Sequence, residues 1–351
     1  MKRHFEILDG LRGTVAVAVV IFHIFEWLFP DYTYNPLRHA YLAVDFFFML
    51  SGFVIGYAYD DRWQSMKITE FLRTRLIRLH PLVLLGILIG VAGYWFDPFA
   101  GSGQNTGVLR MLFGIAAGIL MLPSPALPKR YDETHSLNGP HWSLTMEYFI
   151  NIVYAFAGPR MSKKTLIIVV LLSGIGLAAS AIAHGSLQGG WGWSTFWMAP
   201  VRVTFPFFMG LLLYRMNFRI NIKNAYLITS ILLLALFAAP SFNANGLYEA
   251  FSVIVFFPLI VAIGAGSRVE GYTASVCSFS GKISYPIYVI HYPFIYIYGH
   301  WLYKTDHSTS VIIIVSISLA VFFIFLAWLS MRFYDEPVRA WLNAYVKKFK
   351  K

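Results

Sequence analysis

Arg12 and His23 stand eleven positions apart in the stretch DGLRGTVAVAVVIFHIFE (9–26). On an α-helix that spacing is about three turns, so the two side chains differ by only ~20° in bearing while the rise between them is ~16 Å. Asp9 and Glu26 fall within about 60° of the same line. One face of a strongly hydrophobic helix thus carries a permanent cation near its start and a titratable imidazole deep inside. Polar groups at such depth in a membrane are costly and mark a protein interior or a water-filled cavity with a function. A guanidinium suits a phosphate, whose oxygens match its planar fork. An imidazole beside a carboxylate suits general-base catalysis: the carboxylate fixes the tautomer and stabilises the imidazolium formed on taking a proton.

Other apolar runs carry matching polar groups. In HWSLTMEYFIN (141–151), Ser143, Glu147 and Asn151 lie within ~80° of one another on a helix, with Trp142 beside them. In SYPIYVIHYP (284–293), Ser284, Tyr288 and His291 share a face, next to Tyr285. Asp45 falls near the start of another apolar run, and Arg73, Arg75 and Arg78 cluster at the start of a third. Sorted by depth, Arg12, Arg73, Arg75, Arg78, Lys282, Ser284 and Tyr285 lie towards one end, whereas His23, Asp45 and the start of HWSLTMEYFIN lie towards the other. The expected site has His23 as the reactive group with Asp45 or Glu147 as orienting partner. Arg12, Arg73, Arg75 and Arg78 would form a phosphate-binding group, and Asp9, Glu26, Trp142, Ser143, Asn151, Ser284, Tyr285, Tyr288 and His291 would line the remaining space. Each has a bland reading too: an intramembrane histidine can be a hydrogen-bonded structural group, and basic residues at span ends serve topology. No metal is expected, and the single cysteine, Cys277, excludes an intramolecular disulfide and a thiolate metal cluster.

The elements that must position these groups are membrane helices. Of 351 residues, 58% are hydrophobic and 13% charged, against about 25% charged in soluble domains. The net charge of +11 is read as basic cytoplasmic loops, not as a nucleic-acid surface. The fold expected is an all-α polytopic membrane bundle of about ten spans, near 10–29, 40–59, 74–96, 141–157, 165–184, 197–214, 224–240, 248–265, 283–302 and 310–333. An eleventh run, 108–122, is expected to be re-entrant or interfacial. With the N-terminus (Lys2, Arg3) inside, a full crossing there would turn Arg160, Lys163, Lys164, Arg215, Arg219 and Lys223 outward, against the positive-inside bias. Both termini, including the tail VKKFKK, are then cytoplasmic. Without repeats or linkers, residues 1–351 are expected to form one membrane domain with no soluble extracytoplasmic domain.

Together the two ends describe a donor with a phosphorylated head held on the cytoplasmic side, its reactive end reaching through the membrane to a hydroxyl on the far side. Six stretches strengthen that reading: LDGLRG followed by His23, AVDFFFMLSGFVI (43–55), the Arg75–Arg78 pair, HWSLTMEYF (141–149), SYPIYVIHYP (284–293) and YDEPVR (334–339). In this order they resemble the acyltransferase-3 family of integral membrane acyltransferases. The resemblance implies transfer of an acyl group, commonly acetyl, from acyl-coenzyme A (acetyl-CoA as co-substrate) to a hydroxyl of a cell-envelope glycan or lipid-linked glycan. It also implies a bacterial inner-membrane location, an essential His23, as base or acyl carrier, and donor-serving Arg12, Arg75 and Arg78. Membrane lipid is the surrounding partner, and any hand-over to an extracytoplasmic hydrolase-like domain would need a separate protein. The rival reading is a secondary transporter with His23, Asp45 and Glu147 as substrate or proton path; lack of repeat symmetry and the arginine cluster stand against it.

Overall fold

The computed structural model describes residues 4–101 and 106–348. Lys2, Arg3 and the last three residues of the basic tail lie outside them. Fourteen α-helices follow one another among the described residues: α1 (Glu6–Leu28), α2 (Ala43–Tyr59), α3 (Ile68–Trp95), α4 (Val108–Ile119), α5 (His141–Phe156), α6 (Lys163–His184), α7 (Met198–Arg215), α8 (Ala225–Ala238), α9 (Asn245–Phe251), α10 (Phe257–Gly266), α11 (Gly271–Ile290), α12 (Tyr292–Lys304), α13 (Thr309–Ser330) and α14 (Glu336–Lys348). No strand accompanies them; the one extended pairing there is an isolated bridge between Glu133 and Gly192. Single π turns join α9 to α10 (Ser252–Phe256) and α13 to α14 (Met331–Asp335). The all-α expectation therefore holds, while the expected count of ten spans goes beyond the helices long enough to cross.

Among the described residues, six helical segments are long and apolar enough to cross a membrane: Glu6–Leu28, Ala40–Ser65, Ile68–Trp95, Lys163–His184, Asn245–Gly266 and Thr309–Lys348. Their outward faces are apolar. Ile168, Leu171, Leu172 and Ile175 on α6, and Ile313, Ile314, Ile317, Val321 and Phe325 on α13, are all exposed. A soluble protein could not carry so much apolar surface, but a lipid-facing one requires it. The run 108–122 forms α4, whose twelve residues span only ~18 Å against a hydrocarbon thickness of ~30 Å.

Two helix pairs organise the bundle: α1 packs along α11, and α2 along α7. Both close on small residues, as expected where lipid supplies no hydrophobic drive between helices. A side-chain carbon added at Gly52 would sit 1.9 Å from the Phe207 carbonyl oxygen, and one at Gly210 1.9 Å from that of Met49. Helices α2 and α7 thus touch backbone to backbone. Gly13 and Gly281 give α1 and α11 the same closeness, with Ser280 and Asp9 in the way of any side chain.

Two departures from a bundle of simple spans shape the site. The expected span 283–302 is broken at His291, between α11 and α12. Pro293 cannot donate to the carbonyl four residues back, that of Val289, and Asn138 Nδ2 takes its place at 2.6 Å. The second departure is the connection before α5. Residues 133–144 are buried without interruption, so this segment plunges into the bundle. Its backbone is satisfied there: Thr134 N donates to Trp191 O at 3.0 Å, Ser124 N to Thr134 O at 2.9 Å, and Leu127 N to Ser136 Oγ at 3.0 Å. His135 bridges the Thr134 and Thr145 hydroxyls, both at 2.9 Å. As a result α5 begins deep inside the bundle, and all its polar residues lie further from the His23 end than a surface start would put them.

Candidate active site

The polar stripe of α1 opens into two cavities. The first, about 330 Å³, surrounds Arg12. Its cations come from four helices: Arg12 from α1, Arg75 and Arg78 from α3, Lys282 from α11 and Arg339 from α14. Asp9, Ser143, Glu147, Ser284, Tyr285 and Asp335 complete the polar lining. Arg75 Nη2 donates to Glu147 Oε1 at 2.7 Å, and that oxygen also accepts from Ser51 Oγ at 2.6 Å and Asn151 Nδ2 at 3.0 Å. Arg339 Nη1 donates to Asp335 Oδ2 at 3.0 Å, whereas Arg12 and Arg78 are loosely held. Arg12 lies 4.0 Å from Asp9, which is closer to His4 (2.9 Å), and Arg78 makes no ion pair among the described residues. Arg75 Nε and Asp335 Oδ1 are buried without a hydrogen-bond partner. Unengaged guanidinium donors converging on one space are what a phosphate-bearing ligand needs.

The second cavity, about 380 Å³, surrounds His23 and is walled by Trp27, Tyr32, Tyr41, Tyr131, Trp142, Trp191, Tyr292 and Tyr303. Its polar groups are His23, Glu26, Glu133, Gln188 and Arg202. His23 Nδ1 lies 2.7 Å from Glu26 Oε2, the i,i+3 carboxylate one turn along α1. The Tyr32 hydroxyl donates to the other Glu26 oxygen, and the Tyr292 ring stands edge-on to the imidazole at 4.7 Å. With Nδ1 donating to Glu26, the lone pair is on Nε2, which has no hydrogen-bond partner among the described residues. Aromatic walls with a few polar groups suit an amphipathic ligand such as a sugar, whose ring has apolar faces and a hydroxylated rim.

The expected partners of His23 need correction. Asp45 does not reach it: this fully buried carboxylate is ion-paired with Arg202 and borders neither cavity. Arg202 Nη1 donates to Gly189 O at 2.8 Å and Nη2 to Tyr41 O at 2.9 Å. The pair thereby pins the segments that wall the His23 cavity. Glu147 belongs to the arginine cavity, because α5 starts deep and carries it away from His23. Glu26, expected only as a lining residue, holds the imidazole. Arg73 leaves the phosphate-binding group: two residues from Arg75 is ~200° around the helix, whereas Arg78 is within ~60° of it. Asn151 and His291 line neither cavity. Asn151 supports Glu147; His291 is fully buried with its ring 5.5 Å from that of His23, and its Nδ1 donates to Ile287 O at 2.9 Å. The remaining expected residues fall at a cavity: Asp9, Ser143, Ser284 and Tyr285 at the arginine end, Trp142 at the His23 end, and Tyr288 at both.

Arg202, Glu249 and Glu133 were not anticipated. An arginine within the apolar run MAPVRVTFPFF (198–208) was signal enough to flag Arg202. Fully buried Glu249 takes hydrogen bonds from the Tyr41 hydroxyl and Leu187 N and lies 3.2 Å from His39 Nδ1. It ties the 39–41 and 187–189 segments together. Nothing in the local sequence announces Glu133, whose place follows from the buried connection. Among the described residues no cluster of three or more metal-ligating side chains forms.

Comparison with known proteins connects this geometry to a family. The family model described as an acyltransferase domain matches residues 5–331. The chain is similar to Protein 2 in the picA locus of Rhizobium radiobacter, 33% identical over 193 residues, which cover 50% of this chain and 94% of that protein. It is similar to the peptidoglycan O-acetyltransferase OatA of Listeria monocytogenes, 24% identical over 377 residues and 99% of this chain, and spans 58% of that protein's length. It is also similar to the acyltransferase MdmB of Streptomyces mycarofaciens, 26% identical over 326 residues, covering 84% of this chain and 80% of that one. No solved structure matches it. With a match that runs from before Arg12 to Met331, over Arg12, His23, Glu26, Arg75 and Arg78, the chain belongs to the acyltransferase-3 family of membrane acyltransferases.

Proposed function

We propose that this protein moves an acetyl-sized acyl group from cytoplasmic acyl-CoA, held by Arg12, Arg75 and Arg78, to a hydroxyl of a cell-envelope carbohydrate held in the His23 cavity. One observation carries the proposal. A single helix delivers Arg12 to a cavity where it and Arg78 have guanidinium donors to spare, and His23 to an aromatic cavity, with Glu26 presenting the imidazole base. His23 Nε2 takes the proton of the acceptor hydroxyl as its oxygen attacks the thioester carbonyl. Collapse of the tetrahedral intermediate breaks the C–S bond, and the leaving thiolate takes the proton back from the imidazolium. The products are the O-acyl ester and free CoA thiol, and His23 is returned neutral. Glu26 stabilises the imidazolium in between. The names of the relatives support acyl transfer and give the transporter reading no support.

The test uses purified protein in proteoliposomes, labelled acetyl-CoA and an envelope-glycan extract. Label is expected in the glycan with the native chain. With His23→Ala it should be lost by ~10²–10⁴-fold, the usual weight of a general base, with fold and donor binding retained. Near-native turnover by His23→Ala would sink the mechanism. Mass spectrometry of envelope glycans from a deletion strain then identifies the acceptor.

The proposal places one domain in the bacterial inner membrane with ten crossings, both termini cytoplasmic and α4 not crossing. Cys277 is first replaced by Ala. A cysteine at Lys164 should then react with a membrane-impermeant thiol reagent only in opened cells, and one at His184 in intact cells. Labelling at Lys164 from outside would invert α6 and the crossings after it. The Arg12–His23 stripe would survive, since it depends on α1 alone.

A further inference from the structure

Arg12 and His23 serve different cavities, yet the two spaces are neighbours: Val44 and Tyr288 line both. Tyr288 projects from α11 and Val44 from the second residue of α2, so the shared wall is built from two helices. A third closes it. Tyr288 Oη lies 2.6 Å from Ser143 Oγ on α5 and 3.3 Å from the Pro140 carbonyl, to which Ser143 Oγ also donates at 2.9 Å. The Phe47 ring stands edge-on to Tyr288 at 5.8 Å. Val44 is 9% and Tyr288 7% exposed, so little open bore remains between them.

We infer that Val44 and Tyr288, latched by Ser143, form a constriction that the acyl group must traverse, and that its bore selects straight, acetyl-sized groups against branched ones. The inference rests on the proposed function, which puts the donor head in one cavity and the base in the other. A thioester carbonyl can then reach His23 only past these two side chains. The pantetheine arm is itself a narrow unbranched chain, so a passage wide enough for the arm admits an acetyl group. A branch at the α-carbon adds width that Val44 and the Tyr288 ring oppose.

The experiment compares acetyl-CoA with isobutyryl-CoA as donors to one acceptor, reading the ratio of their kcat/KM values. Val44→Ala and, separately, Tyr288→Ala should raise the isobutyryl-to-acetyl ratio by roughly tenfold or more, the usual selectivity carried by one or two methyl groups in a shaped site. Val44→Phe should abolish transfer from both donors while the arginine cavity still binds adenosine 3′,5′-bisphosphate, a phosphorylated head without the arm. Should Val44→Phe fail to insert, the two alanine variants still decide the matter, because misfolding lowers both rates together and leaves their ratio alone. An unchanged ratio in both alanine variants that still transfer acetyl would overturn the constriction. Absence of any CoA-dependent transfer by the native chain would overturn the proposed function instead, so the two failures are distinguishable.

Discussion

Two buried arginine–carboxylate pairs face the two ends of the polar stripe, and they are wired differently. Arg75 gives one hydrogen bond to Glu147 at 2.7 Å, leaves its buried Nε without a partner and lines the arginine cavity together with Glu147. Arg202 is spent: Nε and Nη2 go to Asp45, Nη1 to Gly189 O and Nη2 also to Tyr41 O, with the guanidinium carbon 5.2 Å above the Trp142 ring. A guanidinium with donors to spare beside an open space can take a ligand. One whose donors end on two backbone carbonyls and a sealed carboxylate holds walls in place. The difference separates binding from scaffolding where residue type and burial alone do not.

The largest effect should come from breaking the sealed pair. Asp45→Ala leaves the Arg202 charge buried and unpaired, which costs ~3–5 kcal/mol. The expected result is a large fall in the thermal midpoint of the purified protein and poor accumulation in the membrane. Replacing both partners, as in Asp45→Leu with Arg202→Met, should recover much of that stability. It should not recover acceptor use, because Gly189 and Tyr41 lose their anchor. Glu147→Ala sharpens the contrast, since Glu147, unlike Asp45, itself lines a cavity that water can enter, and the loss of midpoint should be clearly smaller. Equal losses for Asp45→Ala and Glu147→Ala would remove the distinction between the pairs.

Next in size is Glu26. Because Asp45 is committed to Arg202, orientation of His23 falls to Glu26, and Glu26→Gln should lower turnover by ~10²–10⁴-fold with donor affinity unchanged. An activity loss confined to Asp45 variants, with Glu26→Gln near native, would return the catalytic role to Asp45. Smaller again are the arginines of the open cavity. Arg75→Ala and Arg78→Ala should each weaken acyl-CoA binding by roughly ten- to a hundredfold, the weight of a charge-assisted contact of ~1.5–3 kcal/mol. The lysine variants should restore only part of it, because the fork is gone. Isothermal titration with a non-hydrolysable acyl-CoA analogue reads both.

The helices were legible in the sequence because 20-residue apolar runs leave a membrane chain little choice. The Arg12–His23–Glu26 stripe was legible for a similar reason: helical periodicity fixes who shares a face within one element. What periodicity cannot supply is the level at which one helix starts relative to another. Glu147 was placed beside His23 because the start of HWSLTMEYFIN was assigned to the His23 end of the bundle. Residues 133–144 are buried, and the whole α5 stripe shifts towards the arginines. Asp45 fails differently. Its local context is the same whether it faces His23 or a buried arginine from α7, and only tertiary packing decides. The YDEPVR stretch was read as part of a resemblance, and its Asp335 and Arg339 reach the arginine cavity through a π turn that no apolar pattern encodes.

The smallest expected effect is the most direct check on reading these arginines one by one. Arg73 belongs to the same basic cluster as Arg75 and Arg78 and would contribute equally if the cluster acted only through its overall positive potential. On α3 it points away from both, ~200° around the helix from Arg75, and it borders neither cavity. Arg73→Ala should therefore leave acyl-CoA affinity within about twofold of native, the ±0.5 kcal/mol typical of a substitution that touches no ligand. A long-range potential would also fade with salt over a Debye length of ~10 Å at 0.1 M, whereas a short guanidinium–phosphate contact in a recessed cavity is screened much less. Affinity measured at low and high salt thus gives two independent readings. Contact predicts that Arg75→Ala is deleterious at both salts and Arg73→Ala at neither. If Arg73→Ala weakens binding as much as Arg75→Ala, and both losses vanish at high salt, the cavity attracts its ligand through a field. The unengaged donors of Arg75 would then carry no more meaning than those of a surface lysine.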